Sequence, residues 1–259
     1  MVDIVTERTM IPNQPNRSFA EAVLSQVYNN TPSGRRERII EVSKWLTRQV
    51  GLNTYDHSVV LTVLRRRGLT DALIVDHVLP AVLRSLGEDW SNDARSFAQV
   101  SLASSRIVEL IKDLSKSEDV LNTQNQAGAL LVVHEDEQHS IGLRIVADQF
   151  LRAGVSVKFL PSASDQKIAK LAGSGDFSYI LFSCSNQHAL RSIVKSAKRI
   201  RRFVEPECKI VLGGFIVELN DVNIPLDVFD IVTNDVRAVV DFAKPVAQTK
   251  MKRREQFNE

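Results

Sequence analysis

The chain has few cysteines and no long apolar run, and each shortage excludes a class of protein. Its two cysteines, Cys184 and Cys208, lie in or beside apolar segments that predict strands. This placement favours reduced, buried thiols over a disulfide framework. No apolar stretch approaches the roughly 18 residues of a membrane helix. The N-terminus also lacks the basic and apolar segments of a secretory signal, so we expect a cytoplasmic protein.

Net charge is also nearly absent. The 33 lysines and arginines almost balance the 31 aspartates and glutamates, which leaves a formal charge of +2. The chain therefore has no overall field of the kind that non-specific nucleic-acid binding needs. Any role on DNA must be local or indirect. Hydrophobic residues make up 44% of the 259 positions, which is enough for one large domain or two ordinary ones.

The first folded part predicted by the sequence is helical. Over residues 34–117 apolar side chains recur at the spacing of an amphipathic helix. Thr70 predicts a helix start, and Pro80 predicts a kink inside the third helix. The pattern indicates a four-helix bundle, with helices near 35–50, 56–67, 70–87 and 93–117.

The second folded part, residues 128–245, has a different pattern. Five short apolar segments alternate with helix-length amphipathic ones: ALLVVH, VSVKFLP, FSYILFSCS, KIVLGG and FDIVTND. This alternation predicts a doubly wound parallel sheet, Rossmann-like or flavodoxin-like, whose ligands bind at the carboxyl ends of the strands. The remaining segments predict a polar N-terminal arm over 1–33, a linker over 118–127 and a basic tail over 246–259.

Three of the predicted strands end in residues with distinct chemistry. In a parallel sheet these ends meet at one edge, where they offer a metal ligand, hydroxyl groups and a surface without side chains. A neutral imidazole binds metal through one nitrogen while its other N–H needs an acceptor, which Glu137 or a serine can supply to His139. The three ends contribute Glu137, His139, Ser140, Ile141, Gly142, Ser183, Ser185, Gly213 and Gly214.

Ordinary structural roles also fit these residues. A single histidine in a turn is commonly a solvated residue, and serines often close a strand through local backbone hydrogen bonds. His134 fits a residue at the end of its strand better than a second metal ligand. His57, His77 and His188 fit surface or capping positions. The basic tail and the run from Arg65 to Arg67 fit solvated or helix-terminal charges.

The spacing of EQHSIG, SCS and GG resembles the cobalamin-binding domains of methionine synthase, methylmalonyl-CoA mutase and related corrinoid proteins. Their pattern is Asp-x-His-x-x-Gly, Ser-x-Leu and Gly-Gly. The resemblance implies that His139 is the lower axial cobalt ligand. It also implies that Ser183, Gly213 and Gly214 line the slot for the nucleotide tail. Glu137 stands where the family has aspartate, and Ser185 where it has leucine.

The segment from VLPAVLRSLGEDW onward resembles the helical cap over the upper cobalamin face in methyltransferases and photoreceptors. The resemblance implies that Trp90 shields the upper face of the cofactor. The adenosylcobalamin photoreceptors carry Glu-His after this tryptophan and nine intervening residues, and here Val100 and Ser101 occupy those positions. The cap histidine that becomes the upper ligand in those photoreceptors is therefore absent.

Together these features are most similar to the AerR/PpaA antirepressors of purple photosynthetic bacteria. That resemblance implies a non-enzymatic, light-responsive regulator that binds hydroxo- or adenosylcobalamin. It also implies a CrtJ/PpsR-like transcription repressor of photosystem and tetrapyrrole genes as partner, with at most an indirect association with DNA. Two alternatives stay open: a corrinoid shuttle protein of a methyltransferase system, and a haem-binding sensor of the same fold. Retention of His139 and the glycine pair argues against haem.

Overall fold

The computed structural model describes residues 33–115, 128–174 and 177–242. These residues fall into two compact units, one helical and one α/β. The predicted linker, the basic tail and all but the last residue of the predicted N-terminal arm lie outside the described residues. None of the helices in the described ranges is long and apolar enough to cross a membrane.

The helical unit contains the predicted four helices, with Asp56 and Thr70 as side-chain N-caps of the second and third. A buried apolar face of each helix forms its core, as the sequence periodicity predicts. The helices are α1 (Ser33–Val50), α2 (His57–Arg66), α3 (Asp71–Leu73, then a π-helical turn at Ile74–Val78, then Leu79–Ser91) and α4 (Phe97–Leu114).

Three predicted boundaries in this unit were wrong, including the end near 117, since the fourth helix ends at Leu114. The distortion predicted at Pro80 takes the form of a π-helical turn just before it. The third helix continues to Ser91 instead of ending near 87. The fourth begins at Phe97 instead of 93, because Asp93 has a left-handed φ of 57° and Ser96 forms a capping box with Gln99. Pro80 does not break the third helix, since the π-helical turn just before it widens the backbone where the proline ring would clash.

The α/β unit confirms the predicted doubly wound sheet. Five parallel strands lie in the order β2-β1-β3-β4-β5. Helices and strands alternate along the chain as β1 (Gly128–His134), α5 (Ile141–Arg152), β2 (Ser156–Ala163), α6 (Asp165–Ser174), β3 (Phe177–Ser183), α7 (Gln187–Ile200), β4 (Lys209–Gly213), a 3-10 turn (Phe215–Glu218), β5 (Ile231–Val232) and α8 (Val236–Phe242).

The core of this unit lies on both faces of the sheet. Leu130 and Val132 of β1 belong to one buried apolar cluster, and Leu131 and Val133 to another, because alternate residues of a strand face opposite sides. The chain leaves β1 toward β2 on one side and reaches β3 on the other, which opens a crevice at the carboxyl ends of β1 and β3. Both cysteines are buried free thiols, as predicted.

Candidate functional site

The sheet brings the three predicted strand ends together. Val133 of β1 is in register with Ser183 of β3, and Ser183 is in register with Gly213 of β4. The loops that follow these residues therefore begin side by side at one edge of the sheet. This edge is the crevice at which open α/β sheets bind their ligands.

Glu137 is the residue that joins two of these loops. The turn after β1 is closed by a 2.9 Å hydrogen bond from the Glu137 N–H to the His134 carbonyl, and it carries the Glu137 side chain into the protein, where it is fully buried. Its carboxylate accepts the Ser185 backbone N–H at 2.6 Å. The Ser185 hydroxyl lies 2.8 Å from both carboxylate oxygens. The loop after β1 is thus tied to the loop after β3.

His139 is held by the same carboxylate. Its backbone N–H and its ring Nδ1 each lie 2.8 Å from Glu137 Oε1, and Nδ1 is 2.9 Å from the Ser185 hydroxyl. A carboxylate can only accept, so Nδ1 carries the proton and donates it. The Nε2 atom makes no hydrogen bond within the described ranges, and the side chain is 70% exposed. His139 therefore presents a lone pair on Nε2 from a ring with a fixed orientation.

The electrostatics of the pair follow from these contacts. Burial opposes ionisation of Glu137, but hydrogen bonds from His139 and Ser185 outweigh it and lower the pKa of this carboxyl to about 2. The hydrogen bond to Glu137 raises the pKa of His139, against the opposing effect of its own partial burial. Glu137 is therefore an anion at neutral pH, and it remains an acceptor for the Nδ1 proton.

Gly213 at the end of β4 and Gly214 directly after it have a role within the protein itself. Gly214 has a φ of 99°, and a Cβ there would lie 2.4 Å from the carbonyl oxygen of Cys184. At Gly213 a Cβ would lie 3.0 Å from the carbonyl oxygen of Thr233. Close packing of neighbouring loops therefore requires Gly214 to be glycine. The slot-lining role of the pair stays a prediction.

Gly142 has no such internal reason. It is exposed in the first turn of α5, and a Cβ there would have no neighbour within 4 Å. Glycine costs a helix about 1 kcal/mol relative to alanine, so packing permits another residue here and helix stability favours one. Ser140 precedes the helix without capping it, and Ile141 is half-buried. The helix start next to His139 thus offers an open backbone surface.

His134 has the structural role that the sequence predicted. It is buried at the end of β1. Its Nδ1 accepts the Asp136 N–H at 3.1 Å, and its Nε2 lies 3.1 Å from Asp165, which also accepts the Ser196 hydroxyl. Both ring nitrogens have partners inside the protein. His134 therefore has no nitrogen left for a metal.

The candidate residues of the helical unit lie around the α3–α4 corner. Trp90 occupies the last turn of α3 and is 51% exposed. Near the start of α4, Val100 is half-buried and Ser101 is exposed. Phe97, the first residue of α4, is more exposed than Trp90. Phe97 was missed by sequence reasoning, although an apolar residue directly after the Ser96 cap could have identified it. The cofactor contacts assigned to this group stay predictions.

Sequence reasoning also missed Asn234, and through the family motif it assigned the slot-lining role to Ser183 and treated Ser185 as a departure. The Asn234 side chain accepts the Gly214 N–H at 2.7 Å and donates to the Gly214 carbonyl at 3.3 Å, which fixes the loop after β4. Its position just past β5, at the same sheet edge, was the available signal. Of the two serines, Ser185 contacts Glu137 and His139, whereas Ser183 ends β3 half-buried.

Comparison with known proteins agrees with this geometry. A family model described as B12 binding domain matches residues 128–232. The chain is 32% identical over 168 residues to a Rhodobacter capsulatus protein named as an uncharacterized 20.5 kDa protein in the bchF-crtJ intergenic region. The match covers 63% of this chain and 86% of that protein.

Among solved structures, the fold is similar to that of the Methanosarcina barkeri monomethylamine corrinoid protein. The TM-score is 0.60 at 13% identity, and the match covers 83% of this chain and 99% of that one. At this identity the likeness concerns the fold. The chain belongs to the B12-binding domain family, together with the Rhodobacter capsulatus protein.

Proposed function

We propose that this protein is a corrinoid-dependent, light-responsive antirepressor in which Nε2 of His139 is the lower axial ligand of cobalt. The observation that carries the proposal is the clamped imidazole: Glu137 and Ser185 hold Nδ1, while Nε2 is left with a lone pair on a 70% exposed ring. Metal-binding histidines typically donate a hydrogen bond from the N–H of their second ring nitrogen to a carboxylate in this way.

The surroundings of His139 fit a large, flat cofactor. The ring lies at the carboxyl end of the sheet, in the crevice between β1 and β3. Gly142 leaves open backbone on the neighbouring helix turn, which would let a macrocycle approach closely. Both features support residues 128–232 as the corrinoid-binding part of the chain.

Each residue of the clamp has a separate task. Glu137 fixes the tautomer and plane of the His139 ring and makes the ring more basic as a ligand. Ser185 holds the Glu137 carboxylate through two donors, its hydroxyl and its backbone N–H. A bound corrinoid, as hydroxo- or adenosylcobalamin, supplies the light-sensitive group. A metal held at Nε2 of His139 would compete with a proton there, because the pKa of this side chain is raised.

Regulation, with no catalysed reaction, is the role that the relative supports best. Its name places its gene beside crtJ, which agrees with a CrtJ/PpsR-like repressor of photosystem and tetrapyrrole genes as the partner. A cofactor can shift such an association only if it binds two states of the protein with different affinity. The proposed states are a form of the chain that binds the repressor and a form that does not, and the illuminated corrinoid would favour the first.

The test compares repressor binding in three states of the purified full chain: corrinoid-free, loaded in the dark, and loaded and illuminated. A pull-down with purified repressor should recover most repressor with the illuminated, loaded chain. The variant His139→Ala should give the corrinoid-free result under all conditions. Equal recovery of repressor in the three states would contradict a switch.

A corrinoid shuttle protein is the second candidate. The fold shared with the monomethylamine corrinoid protein favours it. Methyl transfer from the methylated, loaded chain to a thiol or folate acceptor would support the shuttle and contradict the regulator. The absorption spectrum of the purified protein separates both candidates from a haem sensor, because corrinoids and haem have distinct bands.

A further inference from the structure

Helix α7 carries a row of cations on its outer face. Arg191, Lys195 and Lys198 of α7 are exposed, as is Arg202 in the turn after the helix end at Ile200. The spacing of four and three residues places the first three on one side of the helix, and a helical rise continued to Arg202 gives the row a length of about 16 Å. The opposite side is buried in the core through residues such as Ile193. We call these four residues the α7 stripe.

The α7 stripe is not explained by the stability of its own helix. Like charges three or four residues apart destabilise a helix by a few tenths of a kcal/mol per pair. Cations in the last turn and just past a helix's carboxyl end are compensated by the helix dipole, which accounts for Lys198 and for Arg202 beyond the end. Arg191 and Lys195 lie in the first two-thirds of the helix, where the dipole gives them no such compensation.

Acidic side chains do not neutralise this face from within its own helix. No aspartate or glutamate occurs from Asn186 to Arg202. The neighbouring helix α6 adds exposed Lys167 and Lys170, and its Asp165 is engaged by His134 and Ser196. Glu205 and Glu207 follow only in the loop that leads to β4, and Asp230 is paired with Arg201. A chain with a net charge of +2 thus concentrates positive charge on one face.

We propose that the α7 stripe binds the phosphate backbone of double-stranded DNA. Protein–protein interfaces are depleted in lysine and enriched in aromatic residues, whereas protein–DNA interfaces are strongly positive. The stripe contains two lysines and two arginines and no aromatic or amide side chain. About five phosphates of one strand lie along 16 Å of duplex axis, which is enough for each cation to meet one.

The chemistry of the stripe sets the character of this binding. Cations that meet phosphates fix position but read no bases, so binding is independent of sequence. Four contacts correspond to a salt slope of about −3.6, which lowers affinity about a hundredfold between about 50 and 200 mM salt. The inference goes beyond the proposed antirepressor role and does not depend on corrinoid binding.

The experiment measures binding of the full chain to a fluorescein-labelled duplex of about 30 base pairs and arbitrary sequence, by anisotropy over a range of salt. The test variant replaces all four stripe residues with glutamine. The control variant makes the same change in net charge on the helical unit, at the exposed residues Lys44, Arg48, Arg65 and Arg66. Circular dichroism checks that both variants fold.

The expected result is a salt slope near −3.6 for the natural chain and the control, and a loss of most of that slope in the stripe variant. The double variant Arg191→Gln with Lys195→Gln should reduce the slope by about two. No binding by the natural chain at low salt would overturn the proposal. An equal loss in both four-residue variants would overturn it too, as would tighter stripe-dependent binding to poly-glutamate than to DNA.

Discussion

Two histidines five residues apart, each paired with a carboxylate, have opposite positions in this protein. His134 is buried, and both of its ring nitrogens are bonded inside the protein, to Asp165 and to the Asp136 N–H. His139 is 70% exposed, and Glu137 occupies only its Nδ1. The burial of the carboxylates is reversed, since Glu137 is fully buried and Asp165 is 40% exposed.

This difference separates a structural histidine from a candidate ligand. A carboxylate partner alone does not, because both residues have one. The decisive property is the nitrogen that remains after the internal hydrogen bonds are assigned. A buried carboxylate that orients an exposed imidazole leaves that nitrogen available to a metal, whereas a buried imidazole uses both nitrogens to hold its own loop.

The largest expected effect concerns corrinoid binding. His139→Ala should weaken binding of cobalamin by more than about a hundredfold, because removal of the ligand costs more than the 10–100-fold loss typical of a supporting residue. The absorption spectrum after gel filtration measures the retained corrinoid. His188→Ala, at an exposed position on the same unit, is the control. Retention of cobalamin by His139→Ala would remove the distinction between the two histidines.

The next effect concerns the carboxylates. Ser185→Ala and Glu137→Gln should each lower corrinoid affinity about 10–100-fold, because they loosen or misorient a ring that keeps its Nε2. Asp165→Asn should leave the affinity unchanged, since Asp165 contacts His134 and Ser196 and not His139. Titration of each variant with cobalamin by absorbance gives the comparison. A loss in Asp165→Asn equal to that in Ser185→Ala would show that the two pairs are not independent.

In the stability of the folded protein the order of the two histidines should be reversed, with the larger loss from substitution of His134. His134→Ala should lower the free energy of unfolding by about 1–3 kcal/mol, because it leaves buried polar groups without partners. His139→Ala should lower it by about 1 kcal/mol or less, since an exposed ring contributes little packing. Urea unfolding of the corrinoid-free variants, followed by circular dichroism, measures both values. Equal destabilisation by the two substitutions would contradict the structural role given to His134.

The smallest effect is on pH dependence. Burial opposes ionisation of Asp165, but hydrogen bonds from Ser196 and His134 outweigh it and hold its pKa below the ordinary value of 3.8. A lowered pKa stabilises the folded state above the ordinary value, and this stabilisation is lost as the pH falls through the folded pKa. The stability advantage over Asp165→Asn should therefore shrink as the pH falls below about 4. Urea unfolding at several pH values tests this, and an advantage that grew on acidification would contradict it.

The sequence predicted the sheet well because strand and helix periods are local signals. All five apolar segments became strands, and the ends at His134, Ser183 and Gly213 met as parallel topology requires. Less local features were not predictable in this way. Choosing Ser185 over Ser183 as the partner of Glu137 requires the path of the loop after β3.

The glycines illustrate the same limit. A sequence motif identifies Gly142 and Gly214 together, yet a Cβ would meet open space at the first and the Cys184 backbone at the second. The π-helical turn before Pro80 was also outside the reach of periodicity, because it depends on how a helix adjusts around a proline ring. In each case the deciding contact is made between loops or within a distorted turn.

The hydrogen bonds from Ser185 to Glu137 have a consequence for the order of events during synthesis. The two residues are 48 positions apart in the chain. When His139 is added to the growing chain, the serine that completes its clamp has not yet been translated. The neighbouring loop also stays incomplete until Gly214 and Asn234, whose hydrogen bond fixes it, have been translated. A fixed imidazole is therefore available to bind the cofactor only after the whole α/β unit has been synthesised. In a nascent chain that ends before β3, the His139 side chain lacks the contacts that orient it.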